Sequence, residues 1–140
     1  AIKNEILKMK KMKFLLPKGW ELPRGYSQGI ITEGKQIFIS GQIGWDETST
    51  FQSDDFAEQA GQALRNIMSI LAEANASAEH ITRLTWFITD KQEYFDSLKS
   101  LGKIYREEVG RHFPAMSVVE VSSLMEDRAK VEIEATAVIP

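Results

Sequence analysis

The 140-residue chain has no cysteine, two histidines, four prolines and no long apolar run. Without cysteine there is no disulfide framework, no thiolate nucleophile and no Cys-ligated zinc or iron–sulfur site. His80 and His112 are far apart in sequence, so a metal site would rest on carboxylates, and no carboxylate spacing suggests one. No stretch approaches the ~20 apolar residues that cross a bilayer. Phe14-Leu15-Leu16 is stopped by Pro17, well short of the ~7–15 apolar residues of a secretory signal. The expected location is the cytoplasm. No Pro/Ser/Gly linker and no internal repeat follows residue 25, so the length predicts one domain with one core.

The composition is otherwise ordinary for a globular protein, with 43% apolar and 26% charged residues. The net charge of −3 is unevenly spread. Residues 1–24 carry seven Lys or Arg against Glu5 and Glu21, whereas residues 25–140 carry ten basic and eighteen acidic side chains. Residues 1–24 therefore read as a basic N-terminal extension, in the manner of a solvated, frayed terminus, and 25–140 as the domain. An acidic body without clustered cations argues against nucleic acid as a partner.

Gly29 to Glu33 and Gln36 to Ser40, separated by Gly34-Lys35, predict a β-hairpin, and Gly41 to Thr50 a loop. Ser53 can cap a helix, with Asp54 and Asp55 at its positive end and Asp55 with Glu58 resembling a capping box. In that helix Phe56, Ala60, Leu64, Ile67, Leu71 and Ala74 form one apolar stripe and Asn75 is the stop. Ile81 to Ile88 is dense in β-formers. Asp90 then caps a second helix presenting Tyr94, Leu98, Leu101 and Tyr105, closed by Gly110. Ala115 to Val121 and Lys130 to Val138 complete the strands. The order β-β-α-β-α-β-β predicts an α+β domain with two helices on one face of a sheet. Ile37-Phe38-Ile39 and Trp86-Phe87-Ile88 are apolar at consecutive positions, so the second face is apolar too and predicts a homo-oligomer.

No nucleophile elbow, P-loop or zinc-protease motif is present. Three clusters are candidates for chemistry: Gly25-Tyr26-Ser27-Gln28, Ser40-Gly41-Gln42-Ile43-Gly44-Trp45, and Arg111 to Ser117 followed by Glu120. The first reads as a turn with Tyr26 packed on the sheet, the second as a tight strand exit or a set of exposed backbone N–H groups. Glu120 among Val118, Val119 and Val121 is either solvated or placed to handle a proton or water. His112 reads as a packed loop histidine or an acid–base group.

These clusters, with Phe113-Pro114-Ala115, Val119-Glu120-Val121 and Val131-Glu132-Ile133-Glu134-Ala135, occur in an order that resembles the Rid (YjgF) family. The similarity runs from about Gly25 to Val138. It implies a trimeric, chorismate-mutase-like α+β fold binding small metabolites in clefts between subunits, with no cofactor. In the deaminating branch an arginine after the Pro-Ala pair clamps the carboxylate of a 2-imino acid, and here that position is Met116. The resemblance implies Glu120 as the water-positioning carboxylate, with Tyr26, Ser40, Gly41 and Gln42 orienting the ligand. Trp45 and Phe87 are expected nearby, and Arg111 or His112 as substitutes for the missing cation. Leu98, Val118 and Gly44 also depart from the residues usual at their positions. Methionine cannot make a bidentate pair with a carboxylate. The expected activity is therefore hydrolysis of a reactive enamine or imine other than the small 2-imino acids. The alternatives are a non-catalytic ligand-binding or chaperone-like trimer and, third, the endoribonuclease activity ascribed to some relatives.

Overall fold

The computed structural model describes residues 12–140. The strands are β1 (Lys13–Leu15), β2 (Gly29–Ile31), β3 (Lys35–Ile43), β4 (Ile81–Ile88), β5 (Ala115–Glu120) and β6 (Val131–Ile139). The α-helices are α1 (Phe56–Glu73), α2 (Lys91–Asp96) and α3 (Leu98–Glu108). A 3-10 turn at Ala78–His80 leads into β4. The main sheet is mixed, in the order β3-β6-β4-β5, with only the β4–β5 pair parallel. An α+β fold was expected and is what the chain adopts.

Alternation along the strands sends one set of side chains under the helices. Ile39, Leu84, Trp86, Ile88, Val131, Ile133 and Ala135 are buried there with Leu64, Ile67 and Leu71 of α1. The opposite face carries Phe38, 75% exposed, and Val119, 42% exposed. The apolar second face read from the sequence is therefore uncovered within one chain.

The predicted hairpin does not form. Lys35–Ile43 pairs with β6, and Gly29–Ile31 pairs instead with Lys13–Leu15. Gly34 has the left-handed φ of a turn, but it is needed for close approach: a Cβ there would fall 2.0 Å from the Ile139 carbonyl oxygen. The nine-residue β3 completes a long ladder on the nine-residue β6, which a three-residue partner cannot offer. Part of the basic extension is accordingly structured, since Lys13 to Leu15 pairs in register with Ile31 to Gly29. Lys3, Lys8, Lys10 and Lys11 lie outside the described residues.

Helix boundaries follow the expected capping chemistry with one difference, in the second helix. The cap of α1 is Asp55, whose carboxylate accepts from the Glu58 N–H, while Ser53 Oγ accepts from the Asp55 N–H. Asn75 follows α1 with φ 55°, as a stop requires. The expected second helix is broken in two at Ser97, whose hydroxyl donates to the Glu93 carbonyl oxygen at 2.7 Å while its N–H bonds in the preceding turn. A hydroxyl bonded four residues back competes with the helix ladder and bends it. Asp90 caps α2 through the Glu93 N–H, as expected.

One buried polar side chain fastens this framework. Gln59, 1% exposed, donates to the Ser53 and Arg128 carbonyl oxygens at 3.1 and 3.0 Å and accepts from the Lys130 N–H at 2.9 Å. It lies against Gly44, where a Cβ would come within 2.6 Å of the Gln59 Cβ. Substituting Gln59→Leu leaves two carbonyls and one N–H, all partly buried, without their partner. The expected loss is about 2–3 kcal/mol of stability, read as a lower denaturant midpoint at unchanged slope. A midpoint equal to wild type would show that the three bonds contribute nothing net.

Candidate functional site

A cavity of about 570 Å³ opens between β5 and the α2–α3 arm. In parallel pairing, register partners share a face, so Met116 and Val118 lie on the side of Leu84 and Trp86, toward the helices. The arm leaves this edge open, and Tyr94, Leu98, Leu101 and Tyr105 form the far wall. Tyr26 closes a third side. It is held beside β5 because the neighbouring Ser27 N–H donates to the Pro114 carbonyl oxygen at 3.0 Å and its hydroxyl donates to the Phe113 carbonyl oxygen.

The wall is aromatic and its hydroxyls stay protonated. Burial pushes the Tyr94 and Tyr105 phenols above their ordinary range, Tyr105 strongly, so both remain hydrogen-bond donors. The Tyr105 hydroxyl donates to the His112 carbonyl oxygen at 2.6 Å, and its ring stacks on Phe113 with centroids 5.7 Å apart.

Of the residues singled out in the sequence, the fold brings Tyr26, Met116 and the departing positions Leu98 and Val118 together in this cavity. The others lie elsewhere in the chain. Ser40, Gly41 and Gln42 are on β3, at the opposite edge of the sheet from β5. There a bulge interrupts the ladder between Ile39 and Gln42, and Gln42 Nε2 donates to the Ser40 carbonyl oxygen at 3.1 Å. Trp45 stacks at a tilt on Phe51, centroids 5.8 Å apart, and its carbonyl oxygen accepts from Asn66 Nδ2. Phe87 points to the uncovered face, away from the cavity on whose side Trp86 lies.

Arg111 and His112 border a separate apolar depression beside β1, not the cavity of Met116. His112 Nε2 lies 2.7 Å from the Ile81 carbonyl oxygen and the ring meets Phe14 edge-on, which is the packed-histidine reading. Glu120 ends β5 with its Oε1 accepting from the Lys91 N–H at 2.8 Å, so its carboxylate joins β5 to the first residue of α2.

Arg24 and Arg106 carried no motif of their own, and Glu132 stood in the Val131 to Ala135 run with no role assigned to it. Arg24 and Arg106 line the Met116 cavity, one before the Tyr26 turn and one on α3. Glu132 on β6 pairs in register with Phe87, and its carboxyl carbon lies 2.5 Å from where a Cβ on Gly41 would stand. In the sequence Glu132 was one of several outward positions of an alternating strand. Only the pairing of β6 with β3 shows that it lies over the Ser40–Gln42 bulge. Among the described residues no cluster of His, Asp and Glu is arranged to hold a metal ion, and no helix is long and apolar enough to cross a membrane.

The family profile described as Endoribonuclease L-PSP matches residues 21–139. The chain belongs to the Rid (YjgF, L-PSP) family. It is 32% identical over 114 residues to the human 2-iminobutanoate/2-iminopropanoate deaminase, covering 81% of this chain and 79% of the human protein. It is 36% identical over 113 residues to a RutC family protein of Pyrococcus abyssi, covering 80% and 84%. Among solved structures, RidA from an Antarctic Psychrobacter superposes with a TM-score of 0.65 at 27% identity, over 91% of this chain and 99% of that one. A Rid-family protein of unknown function from Yersinia pestis superposes with a TM-score of 0.81 at 24% identity, over 91% and 98%, a likeness of fold.

The loop beyond the β3 bulge of this Rid protein is organised by Asp46. Its carboxylate accepts from the Thr48 hydroxyl at 2.7 Å, the Gln52 amide at 2.9 Å and the Thr48 N–H at 2.9 Å, which lowers its pKa to about 2. A depressed folded-state value contributes stability above the ordinary aspartate range, lost as pH falls toward about 2. Carboxyl-detected NMR is expected to show Asp46 titrating near 2, and a midpoint near 3.8 would mean the loop bonds are not formed in solution.

Proposed function

We propose that this Rid protein works as a homotrimer whose intersubunit cleft binds a small metabolite and hydrolyses a reactive enamine or imine. Two half-sites support this reading. The Tyr26–Met116 cavity opens beside β5, while Ser40, Gly41 and Glu132 sit across the sheet at the β3 edge, so one chain cannot bring them to one ligand. A second copy laid on the uncovered face would bury Phe38 and Val119 and set its own half-site against the first.

The observation that carries the mechanism is the position of Glu132. Its carboxyl group lies on the Gly41 backbone beside the ligand-orienting bulge, whereas the Glu120 carboxylate is engaged by the Lys91 N–H. Glu132, not Glu120, is therefore the general base. It takes a proton from water as the oxygen adds to the imine carbon. The proton passes to the nitrogen to give a carbinolamine; the carboxylate then takes the hydroxyl proton as the carbonyl forms and delivers it to the amine, the C–N bond breaks, and a carbonyl product and ammonia leave. No cofactor takes part, since every electron pair stays with the reacting atoms.

Met116 sets the substrate range. Where a guanidinium would clamp a short 2-imino acid, this cavity offers a thioether among aromatic rings. Imines generated in situ from a panel of amino acids by an amino-acid oxidase provide the test, with ammonia release as the readout. Glu132→Gln is expected to lower turnover by about 100-fold or more, the size of a general-base contribution, with Glu120→Gln close to wild type. Met116→Arg is expected to raise activity on the shortest 2-imino acids. Turnover that survives Glu132→Gln but not Glu120→Gln would return the base to Glu120. Absence of turnover on every imine would leave a binding protein.

A further inference from the structure

The Met116 cavity carries no cation among its apolar lining but is not without charge. Arg24 and Arg106 both line it, from the segment before Tyr26 and from the third turn of α3, and no Asp or Glu does. Neither arginine is paired with a described carboxylate, although Arg65 and Arg128 both are. The Arg106 guanidinium folds back along its own helix, 3.8 Å from where a Cβ on Gly102 would stand. The floor between the two arginines is apolar, made by Trp86, Leu101, Phe113, Met116 and Val118.

We infer that Arg24 and Arg106 select an amphiphilic organic anion, a carboxylate on a ring-sized apolar body, with the anionic group at the mouth and the body on Met116 and the aromatic floor. This rests on the reading of the cavity as the ligand half of the cleft, and it names the substrate class that half accepts. The physical reason is displacement of charge from floor to rim. A cation on the floor holds a carboxylate close to β5, which leaves room for a short chain only. Cations at the mouth hold the carboxylate outward, and the distance to the floor must then be filled by apolar substance. About 570 Å³ is enough for a bicyclic ring with a short side arm. Arginine suits the task because its planar fork meets both carboxylate oxygens. The protonated phenols of Tyr94 and Tyr105 add no negative charge to oppose it.

Titration calorimetry with three probes tests this: indole-3-acetate, its uncharged analogue indole-3-acetamide, and pyruvate as an anion without the apolar body. The acid is expected to bind about tenfold more tightly than the amide, the size of one solvent-accessible charge-assisted contact, and more tightly than pyruvate. The R24Q/R106Q double variant is expected to bind acid and amide alike. The R24K/R106K double variant keeps the charge and is expected to keep the preference for the acid. Both arginines are exposed, so the variants should melt with wild type, and the melting midpoint is recorded for each. Equal binding of acid and amide to wild type, a preference that survives R24Q/R106Q, pyruvate binding as tightly as the indole acid, or no binding of any probe overturns the inference. These outcomes are separable from failure of the hydrolytic reading. That reading falls if imine turnover is absent or indifferent to Glu132→Gln, whichever anion the cavity selects.

Discussion

The whole arrangement hangs on the side chain of Gln59. A primary amide buried on the first turn of α1 meets two carbonyls and one N–H from segments about 70 residues apart. A buried amide is costly unless its donors and acceptor are matched, and here each is. The match fixes the distance between α1, the loop leaving β3 and the loop entering β6. Gly44 is the other half of the same constraint, since any side chain there would occupy the space of the glutamine. Gly44 lies two residues beyond Gln42, and Lys130 two residues before Glu132. Helix packing and the placement of the β3 bulge beside Glu132 are thus set by one set of hydrogen bonds.

Much of the fold could be read from residue order because its signals are local. Alternation marked Val131, Ile133, Ala135 and Ala137 as a buried row, and the 3.6-residue stripe of α1 fell where the helix is. The pairing of the first strands could not be read, because a hairpin and a long-range ladder present the same residues locally. What decided between them was the approach of Gly34 to the Ile139 carbonyl, a contact across the length of the chain. The break at Ser97 was invisible for a related reason: serine at a helix surface and serine bonded back to a carbonyl look alike in sequence.

The candidate site divides along the same line. Tyr26 and Met116 belong to short motifs near in space, and the fold unites them. Arg24 and Arg106 belong to no motif and are joined only by the cavity between them. Glu120 and Glu132 are chemically equal in sequence, each a carboxylate in a strand of valines and isoleucines. The neighbours separate them: a backbone N–H against one, a glycine bulge against the other.

The pairing of Lys13–Leu15 with Gly29–Ile31 bears on where this protein begins as a physical object. Similarity to the family starts at residue 21, but the hydrogen-bonded unit starts at least eight residues earlier. Cutting at the point of similarity would strip β2 of its only described partner and bare a row of N–H and C=O groups with Ile30 and Ile31 beside them, which is a template for strand addition between molecules. The solved relatives superpose over 91% of this chain, more than residues 21–140 make up, so the shared fold too begins upstream of the point where the family profile starts.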